Sequence, residues 1–407
     1  MKQYLYSANI LLPRADVELS RYSVIACDQF TSEPDYWNEV ESIVGDAPSA
    51  LRLTLPEIYL ENDKASRVAA INARMREYAG AQLCEYPDAM VLVRRIDSVG
   101  KERLGIVAAI DLEEYSYEKK TDAAIRATEG TVLERIPPRV EIRRDALLEL
   151  PHVMLLIDDP CRTVIEPIAE KASTELYNFE LMLGGGKITG YLLKRDEQEK
   201  VQAAMASLAK TAPFPFAVGD GNHSLASAKA HYEAIKAELG AAAENHPARY
   251  ALVEVVNLHD DSLQFEPIYR VVFGADKDDF FAAMRKDTEN GTPENPAAGF
   301  TCVFKDGDED FVYPHGTHTL AVGTLQKFID SYLPSHPEVK IDYIHGEDSL
   351  RRIVAENEGA FGFLFDGMKK DELFVAVASD GALPRKTFSM GHAKDKRYYL
   401  EARRIKA

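Results

Sequence analysis

Ala217-Val-Gly-Asp-Gly-Asn-His-Ser-Leu225 joins an apolar run to an amphipathic one. Ahead of it, Phe214-Pro-Phe-Ala-Val218 has the length of a short buried strand, and Pro215 suits an edge strand or a strand's first residues. Behind it, Leu225, Ala228, Tyr232, Ile235 and Leu239 recur at steps of three and four, which sets one face of a helix against a core. The two glycines, lacking Cβ, let backbone approach a ligand closely. The free N–H groups of the first helical turn, with the positive end of the helix dipole behind them, favour a phosphate or a carboxylate. In this cradle Gly219, Gly221, Asn222 and Ser224 would line the ligand. Asp220 can accept a proton or hold magnesium, and His223 can donate to a phosphate oxygen. Capping accounts for the same residues without a ligand: Asn222 or Ser224 as N-cap, Asp220 as a turn former.

Working outward, strand and helix patterns alternate. Met90–Arg95 and Leu104–Ile110 flank a polar turn and predict a hairpin in one sheet. Val153–Ile157 and Tyr250–Val256 read as buried strands, Tyr22–Cys27 as strand-like, and Phe179–Leu183 with Ile188–Leu193 as a second hairpin around Gly184-Gly-Gly-Lys187. Helices are predicted over 33–44, 65–78, 198–210 and 280–286, and a charged helix near 141–149 after a break at Pro137-Pro138. The fold class is therefore α/β with mixed sheets. A chain of 407 residues exceeds the size at which one core keeps growing, so more than one lobe is expected.

A second cluster, Arg126-Ala-Thr-Glu-Gly-Thr-Val-Leu-Glu-Arg-Ile-Pro-Pro-Arg139, is dense in functional groups. Arg126, Arg135 and Arg139 can grip phosphate oxygens, Thr128 and Thr131 can hydrogen-bond a substrate, and Glu129 can act as a base or metal ligand. A salt-bridged surface helix and loop is the competing reading. Gly184–Lys187 lacks the spacing of a P-loop, and His315-Gly-Thr-His318 has no neighbouring acid or cysteine to complete a metal set. His345-Gly-Glu-Asp348 reads as a turn into a helix, and Pro384-Arg-Lys-Thr387 can bring Lys386 to an anionic substrate.

Lys and Arg number 48 against 66 Asp and Glu, a net charge of -18 that repels polyanions, so neither nucleic acid nor an anionic membrane is an expected partner. Cys27, Cys84, Cys161 and Cys302 are too scattered for a disulfide frame or zinc knuckle, and no apolar run nears twenty residues. A cytoplasmic location is expected.

Several blocks together resemble the family catalogued as domain of unknown function (DUF) 1015. They are Val24-Ile-Ala-Cys-Asp-Gln29, Leu55-Pro-Glu-Ile-Tyr59, Ile125–Thr131, Glu134–Arg139, the Gly219–Ser224 loop, Phe265-Glu-Pro-Ile268 and Pro384–Thr387. In much of that family the loop reads Asp-Gly-His-His-Arg, similar to the phosphate loop of the ParB and sulfiredoxin superfamily, to which free-serine kinases belong. The resemblance implies a ParB/sulfiredoxin-like core over 111–275, elaborated by α/β segments over 1–110 and 276–407. It places Asp220, Gly221 and His223 in a phosphate loop and Glu129 as the catalytic acid. It implies a small-molecule phosphotransferase, with free L-serine as acceptor, a nucleotide or pyrophosphate as donor and magnesium on Asp220 and Glu129. Alternatives are a metal-assisted phosphoesterase acting on a small phosphorylated metabolite, and a nucleotide-responsive binding protein without turnover. Asn222 and Ser224 depart from the common loop, and the loss of an arginine at 224 removes a charged grip on phosphate.

Overall fold

The computed structural model describes residues 2–60 and 62–406. They form mixed α/β architecture in two compact units. The first unit takes the chain up to Ala127, Thr131–Leu263, and the chain from Gly391 on; the second takes Thr128–Gly130 and Gln264–Met390.

The first unit is built on a nine-stranded sheet. Its order is Tyr115–Ser116, Ile125–Ala127, Phe216–Asp220, Met154–Ile157, Tyr250–Asn257, Glu102–Asp111, Val91–Ile96, Lys187–Leu192 and Glu175–Glu180. Alternation along the strands sends Val91, Val93, Val107 and Ala109 into one apolar cluster, and Met90, Leu92, Ile106 and Ala108 into another on the opposite face. Burial on both faces is why these strands read as continuous apolar runs. A four-stranded sheet, Leu83–Ala89, Ala8–Pro13, Ala402–Arg404 and Leu148–Glu149, shares the first cluster.

The second unit is a six-stranded sheet around Phe265–Phe273, which pairs with Lys340–His345 and Phe361–Leu364 and, at its start, with Phe388–Met390. Phe280 packs edge-on against Phe328, Tyr332 and Phe361, so a helix is locked to the sheet by aromatic contacts.

The divisions expected at 110 and 275 do not coincide with these units. Glu102–Asp111 pairs along its length with Tyr250–Asn257, from Tyr250 opposite Asp111 to Val256 opposite Gly105. The C-terminal chain returns to the first unit, where Arg403 pairs with Ile10 and Tyr398 with Ile25. Such pairing between distant stretches leaves no local signature. Local corrections follow from backbone chemistry. Leu19–Tyr22 is one helical turn, and the following extended residues make the single bridge at Ile25 instead of a strand. Pro137 and Pro138 occupy the first turn of the helix Ile136–Arg144, where a missing N–H costs nothing, so they start the helix and do not break the chain. Pro215 precedes the strand Phe216–Asp220, which is interior to its sheet.

His231, on the helix Asn222–Leu239, is 4% exposed and its Nδ1 has no hydrogen-bond partner among the described residues. Burial, then the charges of Arg143, His246 and Lys406, push its pKa from 6.5 to about 4, against the weaker pull of Glu149. A depressed histidine binds its proton in the unfolded chain first, so stability is full above 6.5 and falls as the pH drops toward 4. Between pH 7 and pH 5 this one residue costs ~2 kcal/mol. His231→Leu is expected to flatten the dependence of the denaturation midpoint on pH across that interval; an unchanged slope would exclude His231 as its source.

Candidate functional site

Two glycines shape the end of the Phe216–Asp220 strand. A Cβ on Gly219 would lie 2.8 Å from Leu156 Cγ, and Gly221 has φ +79 with Val153 Cα 3.0 Å from where its Cβ would be. Only glycine takes this turn without strain. Gly221, not Asn222 or Ser224, is the N-cap of the 18-residue helix Asn222–Leu239, and no side-chain cap bond closes that end. Asn222, His223 and Ser224 form its half-buried first turn. The Gly221 N–H donates to Asp220 Oδ1 at 2.9 Å, and Asp220 Oδ2 lies 3.3 Å from Lys396 Nζ.

His223 has a different engagement from the one its position suggests. Its Nε2 accepts the Val132 N–H at 3.3 Å, so that nitrogen carries no proton and cannot donate to a phosphate; Nδ1 is the ring's donor. Beside Val132, the Thr131 hydroxyl is buried with no hydrogen-bond partner among the described residues.

Behind the loop stands a group for which the loop gives no clue. Asp28 Oδ2 is 3.6 Å from His152 Nε2, and His152 Nδ1 is 2.8 Å from the Tyr399 hydroxyl, which accepts the Cys27 N–H at 3.1 Å. His152 also lines the turn, with its Cδ2 3.4 Å from where a Gly221 Cβ would sit. Burial alone would raise the Asp28 pKa, but His152, the Gln29 amide and Lys396 outweigh it and hold the carboxyl below its ordinary value. Asp28 is thus a partly accessible carboxylate, ionised at neutral pH. Burial pushes the neighbouring Cys27 thiol up to about 12, so it stays protonated and is no nucleophile.

Two of the three arginines expected at the loop are otherwise engaged. The Arg126 guanidinium lies 4.5 Å over the Phe214 ring and donates to the Ala123 carbonyl at 3.0 Å. Arg139 pairs with Glu57 and donates to the Arg135 carbonyl at 2.8 Å, and Arg135 is exposed at the helix start. Thr128, Glu129 and Lys386 belong to the second unit. There the Thr128 carbonyl accepts the Leu383 N–H at 2.8 Å, Gly130 N–H donates to Leu383 O at 3.0 Å, and Glu129 is bridged to Leu383. Lys386 has φ +60, and its carbonyl accepts from the buried Arg270 at 2.8 Å.

Both Asp220 oxygens already have partners, Glu129 is in the other unit, and no group of three or more His, Cys, Asp or Glu among the described residues could hold a metal ion. Asp28, His152, Lys396 and Tyr399 were not expected as site residues. Asp28 had a signal in the polar turn Cys27-Asp-Gln29 after an apolar run, and Lys396 and Tyr399 in the dense Lys394-Asp-Lys-Arg-Tyr-Tyr399; His152 had none.

The molecule is thus a mixed α/β protein with a glycine-turned helix start facing a lysine, a histidine and two carboxylates. Residues 10–404 match the family described as "Protein of unknown function (DUF1015)", and the chain belongs to that family. No curated protein matches it. Among solved structures it is similar to a free serine kinase in complex with AMP, at 12% identity and TM-score 0.40, over 74% of this chain and 91% of that one. It is also similar to a conserved hypothetical protein from Pyrococcus furiosus, at 11% and 0.36 over 74% and 95%, and to SbnI with a C-terminal truncation from Staphylococcus aureus, at 10% and 0.35 over 70% and 82%. No described helix is long and apolar enough to cross a membrane.

Proposed function

We propose that the chain is a small-molecule phosphotransferase that moves a phosphoryl group from a nucleotide or pyrophosphate to a metabolite hydroxyl, with free L-serine the acceptor to test first. One observation carries this reading: an ionised, partly accessible Asp28 shares Lys396 with Asp220 at the uncapped start of the Asn222–Leu239 helix. A carboxylate, an ammonium and aligned backbone N–H groups are what such a transfer asks of a protein, since its catalysis is mainly positioning and charge stabilisation. In the proposed step the acceptor oxygen attacks the terminal phosphorus, the bond from phosphorus to the donor's bridging oxygen breaks, and Asp28 takes the hydroxyl proton. Asp220 is held by Gly221 and Lys396 and shapes the loop. Glu129 has no role in this scheme. The choice of serine follows the loop's resemblance in sequence.

The test incubates the protein with serine and, in turn, ATP, ADP or pyrophosphate, with magnesium present, and follows phosphoserine by phosphorus NMR. Phosphoserine formed with one donor supports the reading, and its absence with all of them removes serine as acceptor. Release of phosphate from phosphoserine without donor would replace it with a phosphoesterase. Donor binding without turnover on serine or other hydroxylated metabolites would replace it with a binding protein.

A further inference from the structure

We infer that Lys396 is the side chain that grips the phosphate of the ligand on the Gly219–Ser224 loop, a role that rests on the phosphate reading of that loop. The loop brings no cation of its own: Asn222 and Ser224 are neutral, and His223 Nε2 is an acceptor. Arg126 is stacked on Phe214 and Arg139 is paired with Glu57. Lys396 reaches the loop from the far end of the sequence, within 3.3 Å of Asp220 and close enough to depress Asp28.

The fold holds this lysine by its backbone. Arg95, 2% exposed, donates to the carbonyls of Lys396 at 3.2 Å and Lys394 at 3.1 Å. Arg103, 6% exposed, donates to the carbonyl of Asp395 at 3.3 Å, and the next residue, Arg397, is anchored on Glu254 and Glu401. Three buried guanidiniums hold the backbone of these four residues, and Asp220, 3.3 Å from Nζ, holds the ammonium at the loop. An ammonium has three donors, so it can hold Asp220 and a phosphate oxygen together, and the paired carboxylate orients it before the ligand arrives. An exposed lysine would lose rotamer freedom on binding; a side chain 15% exposed and already paired with Asp220 has less to lose.

The experiment titrates full-length protein with pyrophosphate, and separately with ADP, by calorimetry. Lys396→Met is expected to weaken binding ~10–100-fold, the range for a hydrogen bond to a charged group, while Lys396→Arg retains most of it. Ser224→Arg in the Lys396→Met background is expected to recover affinity, because residue 224 sits in the first turn of the helix beside the ligand. Wild-type binding with no loss in Lys396→Met would overturn the inference and leave the phosphate reading standing. Absence of binding to the wild type would overturn the phosphate reading itself. Should Lys396→Met fold poorly, failure of Ser224→Arg, placed in a Lys396→Gln background, to restore affinity would count against the inference.

Discussion

Arg397→Met is expected to cost the first unit about 3–5 kcal/mol, the penalty for leaving buried charge uncompensated. Arg397 is 3% exposed, Glu254 1% and Glu401 fully buried. Its Nη1 pairs with Glu254, its Nη2 reaches Glu401 Oε2 at 2.5 Å, and its Nε donates to the Pro151 carbonyl at 3.0 Å. Burial would by itself raise the Glu254 pKa, and Arg103 and Arg397 reverse that and hold it below its ordinary value. With methionine at 397, Glu254 keeps only Arg103, at 3.5 Å, and Arg95 further off, while Glu401 keeps the Tyr177 hydroxyl. Desolvation then dominates at Glu254, and its carboxyl titrates upward. The sign of the pH dependence follows. A buried acid with a raised pKa is stabilised relative to the unfolded chain where it is protonated, so the variant should gain stability on mild acidification. Guanidinium chloride denaturation at pH 5 and pH 7.5 measures both effects. A loss under 1 kcal/mol at pH 7.5 would show that solvent reaches the network. Arg397→Lys, which keeps the charge and drops the fork that joins two acids, should fall between.

That network was also the least readable part of the sequence. Elements whose chemistry is local were legible: the apolar runs Met90–Arg95 and Leu104–Ile110, and the stripe from Leu225 to Leu239 behind a glycine turn. These depend on neighbours within a few residues. Pro137 and Pro138 show the limit, since the same residues end one helix or begin another according to what precedes them. The cluster from Arg126 to Arg139 read as one functional surface because its charges are close in sequence. The fold disperses it: Arg126 lies over Phe214, Arg139 goes to Glu57, and Glu129 joins Leu383 in the second unit. Each partner is remote in sequence and carries no periodic signal. Lys396 and Asp220 meet for a related reason. The C-terminal residues add a strand, Ala402–Arg404, beside Ala8–Pro13, and that pairing carries the lysine into the unit that holds the loop.

Asp28→Asn is expected to lower the turnover of the proposed transfer by ~10²–10⁴-fold, the range for removing a general base, while pyrophosphate still binds. The change preserves shape, and its amide oxygen can still face His152. It removes the negative charge and the site for the proton. A low pKa suits this role. Asp28 is ionised throughout the neutral range, and the oxygen it serves loses its proton only as the bond to phosphorus forms, so the acid need not be strongly basic. The acid limb of the wild-type rate should accordingly lie below 3.8, the ordinary aspartate value, because its partners depress Asp28. Across pH 5 to 8 the rate should show no titration from this group. Tyr399→Phe separates positioning from proton transfer. Tyr399 stays protonated, its pKa raised first by burial, and its hydroxyl orients His152. Its loss should free the His152 ring, weaken the hold on Asp28 and move the acid limb upward in pH, with a much smaller fall in rate than Asp28→Asn. Equal losses in the two variants would place the chemistry on the His152–Tyr399 pair. An unchanged rate in Asp28→Asn would return the proton to Asp220, which Asp220→Asn would then reveal.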